Sequence, residues 1–173
     1  MLENEKKLKM ERIVMLCVTL AIMAAIFLLS SQPGEGSSAL SQHVTERVEA
    51  TAAHRLTPKW FNSQNANANI RKWAHVYIYC ALGVSVAVTV HLFGRAGKAV
   101  HAAGLLAEAA ISAVICTAYA CTDEFHQLFV PGRAGMIQDV GVDALGFLPC
   151  IAVTFVVIAG LRRKASRNHP PIS

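Results

Sequence analysis

Four long apolar runs, at residues 13–30, 73–93, 103–122 and 140–161, restrict this chain more than any other feature. Each approaches or exceeds the roughly 20 residues that an α-helix needs to cross a bilayer. A lipid-embedded segment must satisfy its backbone internally, so runs of this kind read as transmembrane helices. The expected fold is therefore all-α: a polytopic membrane helix bundle with four transmembrane helices and a partly helical outer loop. Composition agrees, since only 16% of residues are charged against about 25% in an average soluble domain.

The first run follows a basic segment, as a signal peptide would. It is longer than an h-region of about 7 to 15 residues, and no small-residue cleavage site follows closely, so it reads as a retained anchor. Lys and Arg set the orientation. Lys6, Lys7, Lys9 and Arg12 precede the first run, Arg95 and Lys98 occupy the second connection, and Arg162, Arg163, Lys164 and Arg167 follow the last run. These groups share one side, which the positive-inside rule makes cytoplasmic. The chain then divides into a basic cytoplasmic N-terminus (1–12), a membrane domain (13–161) and a basic cytoplasmic tail (162–173). The expected location is the bacterial cytoplasmic membrane, multi-pass, with both termini cytoplasmic. The net charge of +5 is accounted for by these flanks. No basic face carries interleaved aromatics, so nucleic acid is not an expected partner; the lipid bilayer is.

The long outer connection opens with a helix-breaking cluster around Pro33, Gly34 and Gly36. Leu40, Val44 and Val48 then recur at helical spacing, with Ser38 as N-cap, and predict a short amphipathic helix. "NSQNANAN" reads as a polar loop. Cys17, Cys80, Cys116, Cys121 and Cys150 lie in or beside apolar runs without C-x-x-C spacing, so they read as small core residues with no disulfide framework. Glu108, in the third run, reads as structural, paired with His101 or a basic flank, and His91 as interfacial.

The unusual residues gather at the outer ends of all four runs. The first ends in Ser30, Ser31 and Gln32. The second begins with Arg71 and Lys72, and His75 lies a turn deeper. The third ends in Asp123, Glu124, His126 and Gln127, and the fourth is entered through Arg133, Asp139 and Asp143. Helical spacing puts Asp123 on one face with His126 and Gln127, and Asp139 on one face with Asp143. A carboxylate at the bilayer centre costs roughly 2.5 to 3.5 kcal/mol on insertion scales, and less near the interface. Carboxylates so placed seek a partner or a wet cavity, so the charges are expected to converge on one outward-facing site. The plainer alternative is a set of ion pairs that clamps helix ends.

Four segments carry a resemblance: "SSQPG", "RKWAHVYIYCALG", "DEFHQLFVPGR" and "DVGVDALG". In this order and spacing the chain resembles the VanZ-like family from about Ile13 to Leu161. The family pattern maps onto Ser31, Gln32, Lys72, His75, Tyr79, Asp123, Glu124, His126, Gln127, Gly132, Arg133, Asp139, Asp143 and Gly146. Ile78 stands where members often have Glu, and Ala134 where they often have Ser. The resemblance implies a small bacterial membrane protein linked to low-level resistance to teicoplanin, a lipid-tailed glycopeptide. It implies no mechanism.

Two functions remain open on the sequence. In the first, His126, Glu124, Asp123, His75, Asp139 and Asp143 supply acid–base chemistry. Arg71, Lys72, Arg133, Gln127, Gln32, Ser31 and Tyr79 hold a lipid-linked envelope precursor or a lipid-tailed glycopeptide, for hydrolysis or group transfer. No G-x-S-x-G nucleophile motif is present. Asp123, His126, His75 and Asp139 or Asp143 form a mixed N/O set suited to zinc or manganese. They lack H-E-x-x-H spacing and have cations beside them, so no cofactor is expected. In the second, the protein binds the drug or lipid head groups without turnover, or assists wall-synthesis enzymes. The orientation is testable by single-cysteine labelling in a background without native thiols. Arg95→Cys is expected to label only from the cytoplasm and Gln42→Cys only from outside; external labelling at position 95 reverses the topology.

Overall fold

The computed structural model describes residues 2–33, 42, 44–48, 55–62, 64–94 and 102–168. Gly34, Gly36, Ser38, Leu40, Arg95, Lys98 and His101, all used in the sequence reading, lie outside these. Four long helices carry the fold: α1 (Leu2–Ser30), α2 (Ala66–Gly94), α3 (Ala102–Gln127) and α4 (Ile137–Asn168). All four are long and apolar enough to cross a membrane. Large apolar side chains such as Leu28, Leu106, Val114, Val153 and Val156 stand exposed around the bundle, the girdle a lipid-embedded protein presents to hydrocarbon. The protein is an all-α, multi-pass membrane protein.

The closest helix contact is between α2 and α4, and glycines make it. A Cβ on Gly83 would lie 2.8 Å from the Phe147 carbonyl oxygen, and one on Gly146 would collide with the Val76 carbonyl. Helices in lipid gain little from apolar burial against each other, so close backbone approach at small residues is a main source of affinity. Partners along this seam are offset by a nearly constant 67, 68, 70 and 71 residues, so α2 and α4 run parallel. The seam leads into a core of Tyr79, Leu82, Val86, Phe147 and Ile151, which α1 joins through Ile26 and α3 through Cys116.

The same approach corrects the reading of the cysteines. Cys80 and Cys150 form a disulfide across the seam, with Cα atoms 5.5 Å apart. Gly146 lies one turn before Cys150, and its bare face rests against the Cys80 backbone. That brings the two backbones into the range a disulfide bridges. Cys17 and Cys121 are exposed and Cys116 is buried, all three as thiols.

Two further expectations change. "NSQNANAN" is not a loop throughout: α2 begins within it, at Ala66. Asn65 Oδ1 accepts from the Ala68 amide at 3.0 Å, an N-cap bond. Asn69 is buried and ties α2 to the preceding turn, accepting from the Phe61 and Asn62 amides and donating to the Thr57 carbonyl. In the connection between α1 and α2, residues 42 and 44–48 are helical. The buried position there is Thr45, whose hydroxyl donates to Asn67 Oδ1 at 2.7 Å; Val44 is exposed. Residues 55–61 lie against α2, where Trp73 donates to the Pro58 carbonyl at 2.8 Å and Tyr77 to that of Leu56. Trp60, Phe61, Trp73 and Tyr77 form one aromatic group, the kind that marks a membrane–water interface.

The opposite end of the bundle is also polar. His91 is buried between the helices, and it is the partner of Glu108, at 2.7 Å. Arg162 donates to His91 Nε2 at 3.1 Å. A guanidinium only donates, so Nε2 is the acceptor and Nδ1–H faces Glu108. Arg12 of α1 joins this end by donating to the Leu92 carbonyl at 2.9 Å.

The glycine seam yields a packing prediction. Gly146→Leu is expected to destabilise the bundle by about 1 to 3 kcal/mol through overpacking, read as a lower unfolding temperature in detergent. Gly141→Ala, at a position with nothing within 4 Å, is expected to leave that temperature unchanged or raise it. Equal behaviour of the two variants contradicts the seam.

Candidate functional site

A cavity of about 330 Å³ lies where α1 and α3 end and α2 and α4 begin. Every helix contributes to it. Arg71, His75 and Ile78 recur at helical spacing along one face of α2, with Lys72 beside them. Asp139, Val142 and Asp143 do the same on α4. α3 contributes Glu124 and Gln127, and α1 contributes Ile26, Leu29 and Ser30, with Gln32 just beyond it.

The seam places two polar pairs across the cavity wall. Lys72 Nζ lies 2.8 Å from Asp139 Oδ1, both partly exposed. One turn deeper, His75 Nδ1 lies 3.2 Å from Asp143 Oδ1. Asp143 is fully buried, and a quarter of the His75 side chain is exposed. A carboxylate accepts only, so Nδ1 carries a proton and donates it to Asp143.

A second network lies beneath α3. Asp123 Oδ2 accepts from the Ser30 hydroxyl at 2.9 Å, from Gln127 Nε2 at 3.4 Å and from the Tyr79 hydroxyl at 3.5 Å. Gln127 Nε2 also donates to Glu124 Oε1 at 3.0 Å, and the Met136 amide donates to Glu124 Oε2 at 2.9 Å. The loop between α3 and α4 makes the last bond available. A Cβ on Gly135 would collide with the Glu124 carbonyl, so a bare residue lets the chain fold back onto the end of α3. Gly132 takes φ 74°, which glycine adopts without steric cost.

That turn aims Arg133 at α1. Its guanidinium donates to the Gln32 carbonyl at 3.0 Å, to the Leu29 carbonyl at 3.2 Å and to Gln127 Oε1 at 3.3 Å. The first two acceptors are carbonyls at and just beyond the C-terminal end of α1, where helical donors run out; the Leu29 carbonyl also accepts from the Gln32 amide at 3.4 Å. Burial lowers the Arg133 pKa from its ordinary value, and the nearby positive charge of Arg71 lowers it further. The two guanidinium groups therefore sense each other across the cavity.

The site residues expected from the sequence separate into three groups. Arg71, Lys72, His75, Glu124, Gln127, Gln32, Arg133, Asp139 and Asp143 line the cavity. Asp123 and Tyr79 do not line it; they lie behind the wall, joined to it through Ser30 and Gln127. His126 and Ser31 do neither. The His126 ring packs on Phe27, with centroids 4.3 Å apart, and the Ser31 hydroxyl donates to the Phe27 carbonyl at 2.7 Å. Asp123 shares its helix face with Gln127, while His126 turns toward α1. Among the described residues no group of three or more His, Cys, Asp or Glu is placed to hold a metal ion. Ser30, read from the sequence as one of the converging polar ends, lines the cavity; the sequence reading missed the Ile26–Ile78 floor, since apolar residues inside an apolar run carry no signal.

The Arg133 geometry yields a prediction. Arg133→Lys keeps the charge but cannot span three separated acceptors. It is expected to lower the unfolding temperature nearly as much as Arg133→Ala, at about 1.5 to 3 kcal/mol per charged bond removed and not replaced. Full rescue by Lys refutes the role of Arg133 as the tie to α1.

No curated protein and no solved structure matches this chain. The VanZ/LLP1 family model, however, matches residues 15–158 of 173. That stretch begins within α1, ends within α4 and includes every residue of the cavity wall, so the chain belongs to the VanZ/LLP1 family.

Proposed function

We propose that this protein acts in resistance to lipid-tailed glycopeptides such as teicoplanin from the bacterial cytoplasmic membrane. In this reading the cavity faces outward and is an acid–base site for a lipid-linked or lipid-tailed substrate. The observation that carries it is the His75–Asp143 pair opening onto a cavity that also holds Arg71 and Arg133. Asp143 orients the imidazole and balances the charge it gains. Nε2 takes the proton of an attacking water or alcohol as the new bond forms to the substrate's electrophilic centre. The same proton then goes to the departing oxygen. With water the outcome is hydrolysis, and with an alcohol it is transfer. The arginines hold the anionic part of the substrate, and Glu124 and Gln127 fix the wall opposite.

A second reading, a clamp without turnover, draws on one observation: Lys72–Asp139 and His75–Asp143 both join the same two helices. His75→Gln separates the two. Under the catalytic reading it leaves membrane abundance near normal and abolishes resistance. It also lowers, by about 100- to 10,000-fold, the rate at which purified protein in lipid changes the mass of teicoplanin or of lipid-linked wall precursors. His126→Ala is expected to retain both, since its ring packs outside the cavity. Resistance kept by His75→Gln at normal abundance sinks the acid–base site, and loss of the protein from the membrane favours the clamp.

A further inference from the structure

The cavity has a charge pattern and a size, and together they restrict what it holds. Each of its carboxylates is engaged: Asp139 by Lys72, Asp143 by His75, and Glu124 by the Met136 amide and Gln127. Arg71 is different. Among the described residues it has no ion pair and no hydrogen bond, although it lines the cavity on the same face of α2 as His75. Arg133 lies near enough to repel it and is held in place by the α1 carbonyls. Two guanidinium groups held near each other gain from an anion between them. The formal charges of the wall nearly balance, so attraction for an anion depends on where charge sits rather than on its sum, and it sits at Arg71.

Beside the charged groups, the cavity is apolar. Ile26 and Val142 are buried, and Ile78 and Leu29 extend the same surface. No polar atom of a ligand finds a partner there, whereas hydrocarbon does. At about 330 Å³ the cavity is at the low end of small-molecule sites, which run from about 300 to 1,000 Å³. A head group with the first few carbons of its chain fits that space, and a glycosylated peptide core does not.

We propose that the cavity binds a phosphate-ester amphiphile, with its phosphate on Arg71 facing Arg133 and the start of its hydrocarbon chain on Ile26, Ile78 and Val142. This deepens the acid–base reading by naming the substrate class, and rests on it only for the position of His75. A phosphomonoester carries between one and two negative charges at neutral pH and three acceptor oxygens. That suits two guanidinium groups better than the single charge of a carboxylate. The phosphate's ester oxygen then lies toward His75.

Binding is measured by calorimetry on the full chain in a maltoside detergent, which contains no phosphate. The probes are farnesyl monophosphate, farnesol, palmitate and inorganic phosphate. Farnesyl monophosphate is expected to bind at least tenfold more tightly than each of the other three. Arg71→Gln is expected to weaken it by about 10- to 100-fold, the range for losing a charged hydrogen bond. Ile78→Asn, which adds no charge, is expected to weaken it while leaving inorganic phosphate unchanged. Equal binding of farnesol or palmitate overturns phosphate recognition, and equal binding of inorganic phosphate reduces the site to one for the free anion. Unchanged affinity in a folded Arg71→Gln protein overturns the anchor. His75→Gln is expected to keep the binding while losing turnover, so binding intact with turnover retained counts against the acid–base reading alone.

Discussion

The bare-backbone contact between α2 and α4 is the constraint on which the rest of the structure depends. Gly83 against Phe147 and Gly146 against Val76 fix both the distance and the register of two parallel helices. Once the register is set, the partners along the seam follow. Lys72 meets Asp139, His75 meets Asp143, Cys80 meets Cys150, and His91 meets Arg162. A shift of one residue would rotate every side chain by about 100° and break all four together. The polar site is thus a consequence of apolar packing a turn or two deeper in the bundle. A rigid element in this position is what a site needs if its groups are to stay within a fraction of an ångström of a working geometry.

The other two helices are held to this pair by polar contacts near their ends as well as by the core. At the cavity end, Arg133 gathers the terminal carbonyls of α1, and Ser30 donates to Asp123 of α3. At the opposite end, Arg12 reaches the Leu92 carbonyl and Glu108 meets His91. Between them, Thr19 bonds to Ser85 and Thr89. Bonds at both ends and the middle restrain tilt as well as separation, which apolar contact in lipid does weakly.

Most of the architecture was legible because it follows from hydrocarbon thickness. A run of about 20 apolar residues has few alternatives, and four such runs prescribe a bundle whose connections alternate between its ends. The convergence of Arg71, Lys72, His75, Glu124, Arg133, Asp139 and Asp143 was legible for the same reason. What the sequence left obscure was rotation about each helix axis. Asp123, His126 and Gln127 are close in spacing, yet Gln127 turns to the cavity and His126 to Phe27. Helical periodicity offers both orientations, and only the packed neighbours select one. Cys80 and Cys150 were obscure because their pairing depends on a backbone approach between residues 70 apart. Gly83 and Gly146 were its trace, readable only once α2 and α4 are known to face each other. The early start of α2 was hidden by the asparagines, which are polar enough for a loop but here cap and brace a helix.

The arrangement also bears on why charges are kept in this part of the bundle. A clamp earns its place by stability, and α2 and α4 already have a disulfide and two glycine contacts holding them. Burying a carboxylate such as Asp143 costs several kcal/mol after relaxation, and a well-packed apolar pair in its place is often neutral or stabilising. His75 and Asp143 therefore add little to the join between these helices and carry a desolvation cost. Under the proposed function their placement serves chemistry instead. The carboxylate is buried, where it is shielded from water, and the imidazole it orients is left partly exposed to the cavity. A pure clamp would bury both partners; a working acid–base pair needs one of them accessible, and His75 is the accessible one.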